Sequence, residues 1–79
     1  MDVKQRQEVV EIVCNVGGLA GLAPDEDFYA AGFSSIRALQ LLMELETRFD
    51  VNIPDDEFIK ARTASELDRM LDRVREAGR

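Results

Sequence analysis

The sequence contains no histidine and no tryptophan, and only one cysteine, two prolines and one tyrosine. Without histidine no Ser-His or Cys-His pair exists, which removes the usual route to an activated nucleophile. The lone Cys14 forms no disulfide within the chain and completes no zinc site, which fits a reducing compartment. Cations are also few: 10 Lys and Arg against 16 Asp and Glu leave a formal charge of −6. Nucleic acid is not an expected partner, because binding phosphates needs clustered cations. An acidic surface suits partners with basic docking faces, and it also keeps a small protein soluble. No apolar run approaches the roughly 20 residues of a membrane span, and no apolar segment follows a basic one as in a signal peptide. The expectation is a cytoplasmic chain without membrane contact. A Gly-rich phosphate loop is missing too, since Gly17-Gly18 lacks both the spacing and the lysine. Asp25, Glu26 and Asp27 lack the alternating oxygen ligands, central glycine and final glutamate of a calcium loop, so they read as a solvated acidic turn. No catalytic or metal-ligating constellation can be assembled. The chain reads as a substrate of enzymes, not an enzyme.

What is present is helical. Seventy-nine residues make one domain, spanning 1–79, with 46% hydrophobic and 33% charged residues, enough to fold around a modest core. Val9, Ile12, Val13 and Val16 mark one face of a first helix over 2–16, which Gly17-Gly18 ends. Gln5 and Arg6 are assigned to its wet side, and Cys14 lies roughly 150° from its apolar stripe. Residues 17–33 form a long connection carrying Leu19, Leu22, Phe28, Tyr29 and Phe33, expected to lie across the helices. A second helix is expected over 35–49, with Ala38, Leu41, Leu42, Leu45 and Phe49 on its core face. Ile36, Leu39 and Met43 fall on one flank, where Leu39 is expected to widen the core contact and Ile36 and Met43 to stay exposed. A short third helix over 55–60 packs Phe58 and Ile59. The last helix runs over 64–76, opened by a Thr63-Ala64-Ser65-Glu66 capping box and followed by a fraying end. Asp68, Arg69, Asp72, Arg73 and Arg75 are expected on its outside. The fold class is all-α, a four-helix bundle.

One stretch is more specific. Ala31-Gly32-Phe33-Ser34-Ser35-Ile36 ends a loop and enters an amphipathic helix. Ser34 is a good N-cap, and Ser35 stands exposed at the positive end of that helix, where a phosphate on its hydroxyl is favoured.

Gly32-Phe33-Ser34-Ser35-Ile36 resembles the phosphopantetheine-attachment motif of the acyl carrier and peptidyl carrier protein family. That motif reads Gly, one residue, Asp, Ser, then Leu or Ile; here Ser34 takes the place of the Asp. Asp27-Phe28-Tyr29-Ala30-Ala31-Gly32 fits the run before the motif in that family. The resemblance covers essentially the whole chain and implies a bundle of the acyl-carrier type, with a long first loop and a short third helix. It implies that Ser35 is the residue to which a phosphopantetheinyl transferase joins 4′-phosphopantetheine from coenzyme A through a phosphodiester. Cargo is then held as a thioester and presented to partner enzymes: a cargo-loading ligase, acyltransferase or adenylation enzyme, and a downstream synthase or transferase. It further implies a docking face on the second helix, with Ile36 and Met43 at its centre and Arg37, Gln40, Glu44 and Glu46 as polar rim. The Ser-Ser-Ile variant resembles small stand-alone carriers outside housekeeping fatty-acid synthesis, which favours an aminoacyl or specialised acyl cargo and a monomer in a dedicated biosynthetic pathway. The alternative is an unmodified helical interaction or adaptor domain, in which Ser34 and Ser35 only cap a helix.

Overall fold

Four helices are arranged as in a bundle in the computed structural model, which describes residues 3–77. They are α1 (Val3–Gly17), α2 (Ala38–Phe49), α3 (Asp55–Lys60) and α4 (Ala64–Ala77), and a 3-10 turn, Ser35–Arg37, leads into α2. Their order and lengths follow the expected all-α layout. The expected start of the first helix at residue 2 and the fraying of Gly78 and Arg79 lie outside the described residues; Ala77 itself is helical.

The apolar periodicity of each helix decides how they pack. Val9, Ile12, Val13 and Val16 of α1 are buried, and α1 packs on both α2 and α4. Leu41, Leu42 and Leu45 of α2 and Leu67, Met70 and Leu71 of α4 meet them in one core. Removing such side chains from water is the main favourable term, roughly 1.5–3 kcal/mol each. α3 packs on α4 and adds Phe58 to the core, but Ile59 is 72% exposed, contrary to its expected packing. Six residues make fewer than two turns, so only one narrow stripe of α3 faces inward.

The ends of the elements obey local chemistry. Gly18 follows α1 at φ +66°, and the Leu19 N–H reaches back to the Cys14 carbonyl. Asp50 closes α2 in the left-handed region at φ 54°, and its N–H donates to the Glu46 carbonyl. Thr63 Oγ1 accepts from the Glu66 N–H at 3.1 Å, as a capping box requires. Glu66 reaches one residue further back than expected, accepting from the Arg62 N–H at 2.7 Å instead of the Thr63 N–H.

Two expectations about wet faces are corrected. Gln5 and Asp68 are both buried, and the Gln5 amide donates to Asp68 Oδ1 at 2.6 Å and to Asp72 Oδ1 at 3.2 Å. Arg75 donates to Gln5 Oε1 at 3.0 Å, and Arg6 Nε lies 3.7 Å from Asp68 Oδ2. A polar cluster therefore joins the start of α1 to the outer half of α4, where the periodicity of either helix alone assigns both residues to water.

The long connection is tied down. The Phe28 N–H donates to the Arg62 carbonyl and the Ser65 N–H to the Pro24 carbonyl, each at 2.9 Å, so the loop is stitched to the α3–α4 joint and the first turn of α4. Phe28 is fully buried and Phe33 nearly so; Leu19, Leu22 and Tyr29 pack against the core.

Candidate phosphopantetheine site

The loop ends in an aromatic cluster that fixes where Ser35 stands. The Phe28 and Tyr29 ring centroids are 4.7 Å apart, and Phe33 meets Phe28 at 5.4 Å and Tyr29 at 5.9 Å, both edge to face. The Phe33 N–H donates to the Phe28 carbonyl, closing the turn from inside. Gly32 sits at φ +115°, a conformation that L side chains rarely adopt, which is why glycine stands there. The Phe33 ring lies so close to Gly17 that a Cβ there would stand 2.5 Å from Cδ2.

Ser34 and Ser35 follow directly on this anchored ring. Ser34 is extended, and its Oγ accepts from the Ile36 N–H at 3.3 Å, so it caps as expected. The second helix does not begin as an α-helix at Ser35, however. With the Ile36 N–H engaged by Ser34, the Arg37 N–H reaches the Ser34 carbonyl and the Ala38 N–H the Ser35 carbonyl, which is 3-10 bonding; α2 proper starts at Ala38. Ser35 is exposed, as are Ile36 and Arg37 beside it.

The expected docking residues divide. Ile36, Gln40, Met43 and Glu44 line one open cleft of about 470 Å³ together with Leu39 and Thr47. Ile36 is 90% exposed, Met43 58% and Leu39 66%, so Leu39 joins the exposed stripe and does not widen the core contact. On a helical wheel it stands about 100° from the core axis, far enough round to leave it. Glu46 is not part of this rim. It lies about 80° from the same axis, half-buried, and its carboxylate accepts from the Ile53 N–H at 2.9 Å, holding the segment after α2. Arg37 is exposed but turned back towards α1, where it donates to the Val16 carbonyl at 3.3 Å. That bond serves one of the carbonyls a helix end leaves without an intrahelical partner.

A second polar group lies on the loop. Asp27 Oδ1 accepts from the Tyr29 and Ala30 N–H groups at 2.9 and 3.2 Å, and Asp27 Oδ2 pairs with Arg62 Nε at 2.8 Å. The Arg62 guanidinium also lies 4.9 Å from the centre of the Tyr29 ring. The Arg62 bond, helped by the two backbone N–H groups, holds the Asp27 carboxyl below the usual aspartate range; Asp27 in turn raises Arg62. Asp27 is thus an anchor for the loop and not only part of a solvated turn. Sequence reasoning missed this cluster, because Asp27 and Arg62 are 35 residues apart and neither sits on a periodic face. Cys14 is half-buried, and burial, aided by the Glu26 carboxylate, pushes its thiol up, away from nucleophilic character.

The residues present suit a phosphodiester-linked arm. Ser35 is open to solvent, and the turn before it is held by the Phe33 N–H bond to the Phe28 carbonyl and by the ring contacts of Phe33. Among the described residues no helix is long and apolar enough to cross a membrane.

Comparison with known proteins gives the chain's family and the proteins that share its fold. The family described as "Phosphopantetheine attachment site" matches residues 7–71. The aminoacyl carrier protein of Agrobacterium fabrum is 43% identical over 35 residues, which span 44% of this chain and 42% of that protein. The shared stretch is thus less than half of that relative's length. Among solved structures, an acyl carrier protein from Thermotoga maritima superposes with a TM-score of 0.74 at 26% identity, covering the whole of both chains. BlmI, a type II acyl carrier protein from Streptomyces verticillus involved in bleomycin biosynthesis, shares the fold with a TM-score of 0.74 at 24% identity, over 95% of this chain and 87% of that one. The chain belongs to the phosphopantetheine attachment family: it is a carrier protein with the acyl-carrier fold.

Proposed function

We propose that Ser35 is the attachment residue and that the whole chain works as one carrier domain. The observation that carries this reading is an exposed serine hydroxyl mounted on a fixed loop end, at the position where the family motif has its serine. The Ser35 oxygen would form the phosphodiester to 4′-phosphopantetheine donated by coenzyme A, losing its proton as the nucleotide half of coenzyme A leaves. The arm, when attached, supplies a thiol that carries an acyl group as a thioester. The chain's own residues hold the oxygen in the open and present a docking stripe of Ile36, Leu39 and Met43 edged by Gln40 and Glu44. Arg37 and Glu46 support the loops around that stripe.

The partners of this reading are a phosphopantetheinyl transferase, a loading ligase, acyltransferase or adenylation enzyme, and a downstream synthase or transferase. The likeness to an aminoacyl carrier protein favours an amino acid as cargo over a fatty acyl chain. A reducing cytoplasm suits the terminal thiol, which oxidation would block. Incubation with coenzyme A, Mg²⁺ and a promiscuous transferase is expected to add one phosphopantetheine to the intact mass, and none to Ser35→Ala. Presenting the modified protein with amino acids and candidate ligases then reads the cargo directly; loading with fatty acids alone would overturn the aminoacyl assignment.

A further inference from the structure

Arg62, in the segment joining α3 to α4, touches the loop that leads to Ser35 at three points. Its carbonyl accepts from the Phe28 N–H at 2.9 Å, its Nε pairs with Asp27 at 2.8 Å, and its guanidinium lies 4.9 Å from the Tyr29 centroid. From there the contacts run without a gap. Tyr29 and Phe28 both pack on Phe33, the Phe33 N–H is bonded to the Phe28 carbonyl, and Phe33 is two residues before Ser35. Asp27 meanwhile fixes the Tyr29 and Ala30 N–H groups, so the backbone between clamp and serine has little freedom left. Both partners of the ion pair lie at the surface, where such a pair adds little to global stability. Its geometry is nonetheless specific: an arginine that pairs with a carboxylate and stacks on a ring cannot be replaced by a simple cation.

We infer that Arg62, acting through Asp27 and Tyr29, is a positioning residue for the Ser35 hydroxyl. The inference rests on Ser35 being the acceptor. Placing a reacting oxygen affects the rate of transfer once the complex has formed, more than the affinity that forms it.

Phosphopantetheine transfer from coenzyme A to the full chain, catalysed by one purified transferase, separates kcat from KM for the carrier. Arg62→Ala is expected to lower kcat about fivefold with KM unchanged within about twofold. Arg62→Lys should recover only part, because a compact ammonium does not combine the Nε pairing with Asp27 and the guanidinium's approach to the Tyr29 ring. Asp27→Ala, Arg62→Ala and the double variant should lose similar amounts, as members of one unit do. An unchanged kcat in Arg62→Ala, or losses that multiply in the double variant, overturns the inference. Amide hydrogen exchange of the unmodified protein supplies an arm independent of transfer. In Arg62→Ala and Arg62→Lys the Phe33 and Arg37 amides should exchange faster, by about tenfold in the alanine variant, while Val13 in α1 keeps its protection. Unchanged exchange at Phe33 and Arg37 overturns the clamp whether or not Ser35 is modified. If the wild-type chain accepts no phosphopantetheine, yet Arg62→Ala shows the accelerated exchange, the Ser35 assignment is overturned and the clamp is supported.

Discussion

At the scale of single residues, conformation and contact decide more than residue class does. Gly17 lies in α1, where alanine is the better helix former by about 1 kcal/mol. Yet an added Cβ would meet the Phe33 ring at 2.5 Å, on a side chain that is itself buried. Overpacking outweighs propensity, and Gly17→Ala is expected to destabilise by about 1–3 kcal/mol in chemical denaturation; a stabilised variant would contradict the packing. Asp27 gives a pH prediction. Its folded value is depressed, first by the Arg62 hydrogen bond, so its stabilising contribution is present above the unfolded aspartate value and is lost as pH falls through the folded one. An NMR titration should find the Asp27 midpoint below that of an ordinary aspartate, and Arg62→Ala should raise it; a midpoint insensitive to Arg62 would contradict the pairing. The Ser34 cap was legible because a hydroxyl before a helical run has a fixed use. The 3-10 turn was not, since it depends on how three consecutive N–H groups share acceptors.

At the scale of elements, a helix's periodicity names its inner stripe well and its flanks badly. Leu41, Leu42 and Leu45 are buried as the stripe predicts, whereas Leu39 and Glu46, both near its edge, exchange expected roles. Position on the wheel leaves such flanking residues undecided; the neighbour opposite decides them. Glu46 meets the Ile53 N–H, and Leu39 stays 66% exposed. Because the exposed stripe of α2 contributes little to the core, replacing Leu39 or Met43 by serine should change stability by less than about 1 kcal/mol. The same variants should raise KM for partner enzymes in loading assays; unchanged KM would remove the stripe from the docking face. The α1–α4 cluster behaves in the opposite way. Asp68→Ala strips a buried acceptor from Gln5 and is expected to cost about 1–3 kcal/mol in urea unfolding. No pattern within α4 reveals this, because the partner of Asp68 is 63 residues away.

At the scale of the whole molecule, the fold was legible because several weak signals agree. Glycines, caps and apolar stripes each mark the same four segments, and the motif stands at the expected junction. What the sequence left hidden is how the long connection becomes a rigid mount, since that needs the α3–α4 joint brought against residues 27–33. Phe28 lies at the centre of that mount and is fully buried. Phe28→Ala should cost about 3–5 kcal/mol, a large part of the stability of so small a domain, seen as a shift of the urea midpoint. The central claim is that this scaffold exists to hold one serine oxygen open to another enzyme. Intact mass after treatment with coenzyme A, Mg²⁺ and a phosphopantetheinyl transferase tests it most directly. The account predicts a gain of one phosphopantetheine that vanishes in Ser35→Ala and survives in Ser34→Ala. A gain that persists in Ser35→Ala, or a folded wild-type chain that several transferases leave unmodified, would contradict it.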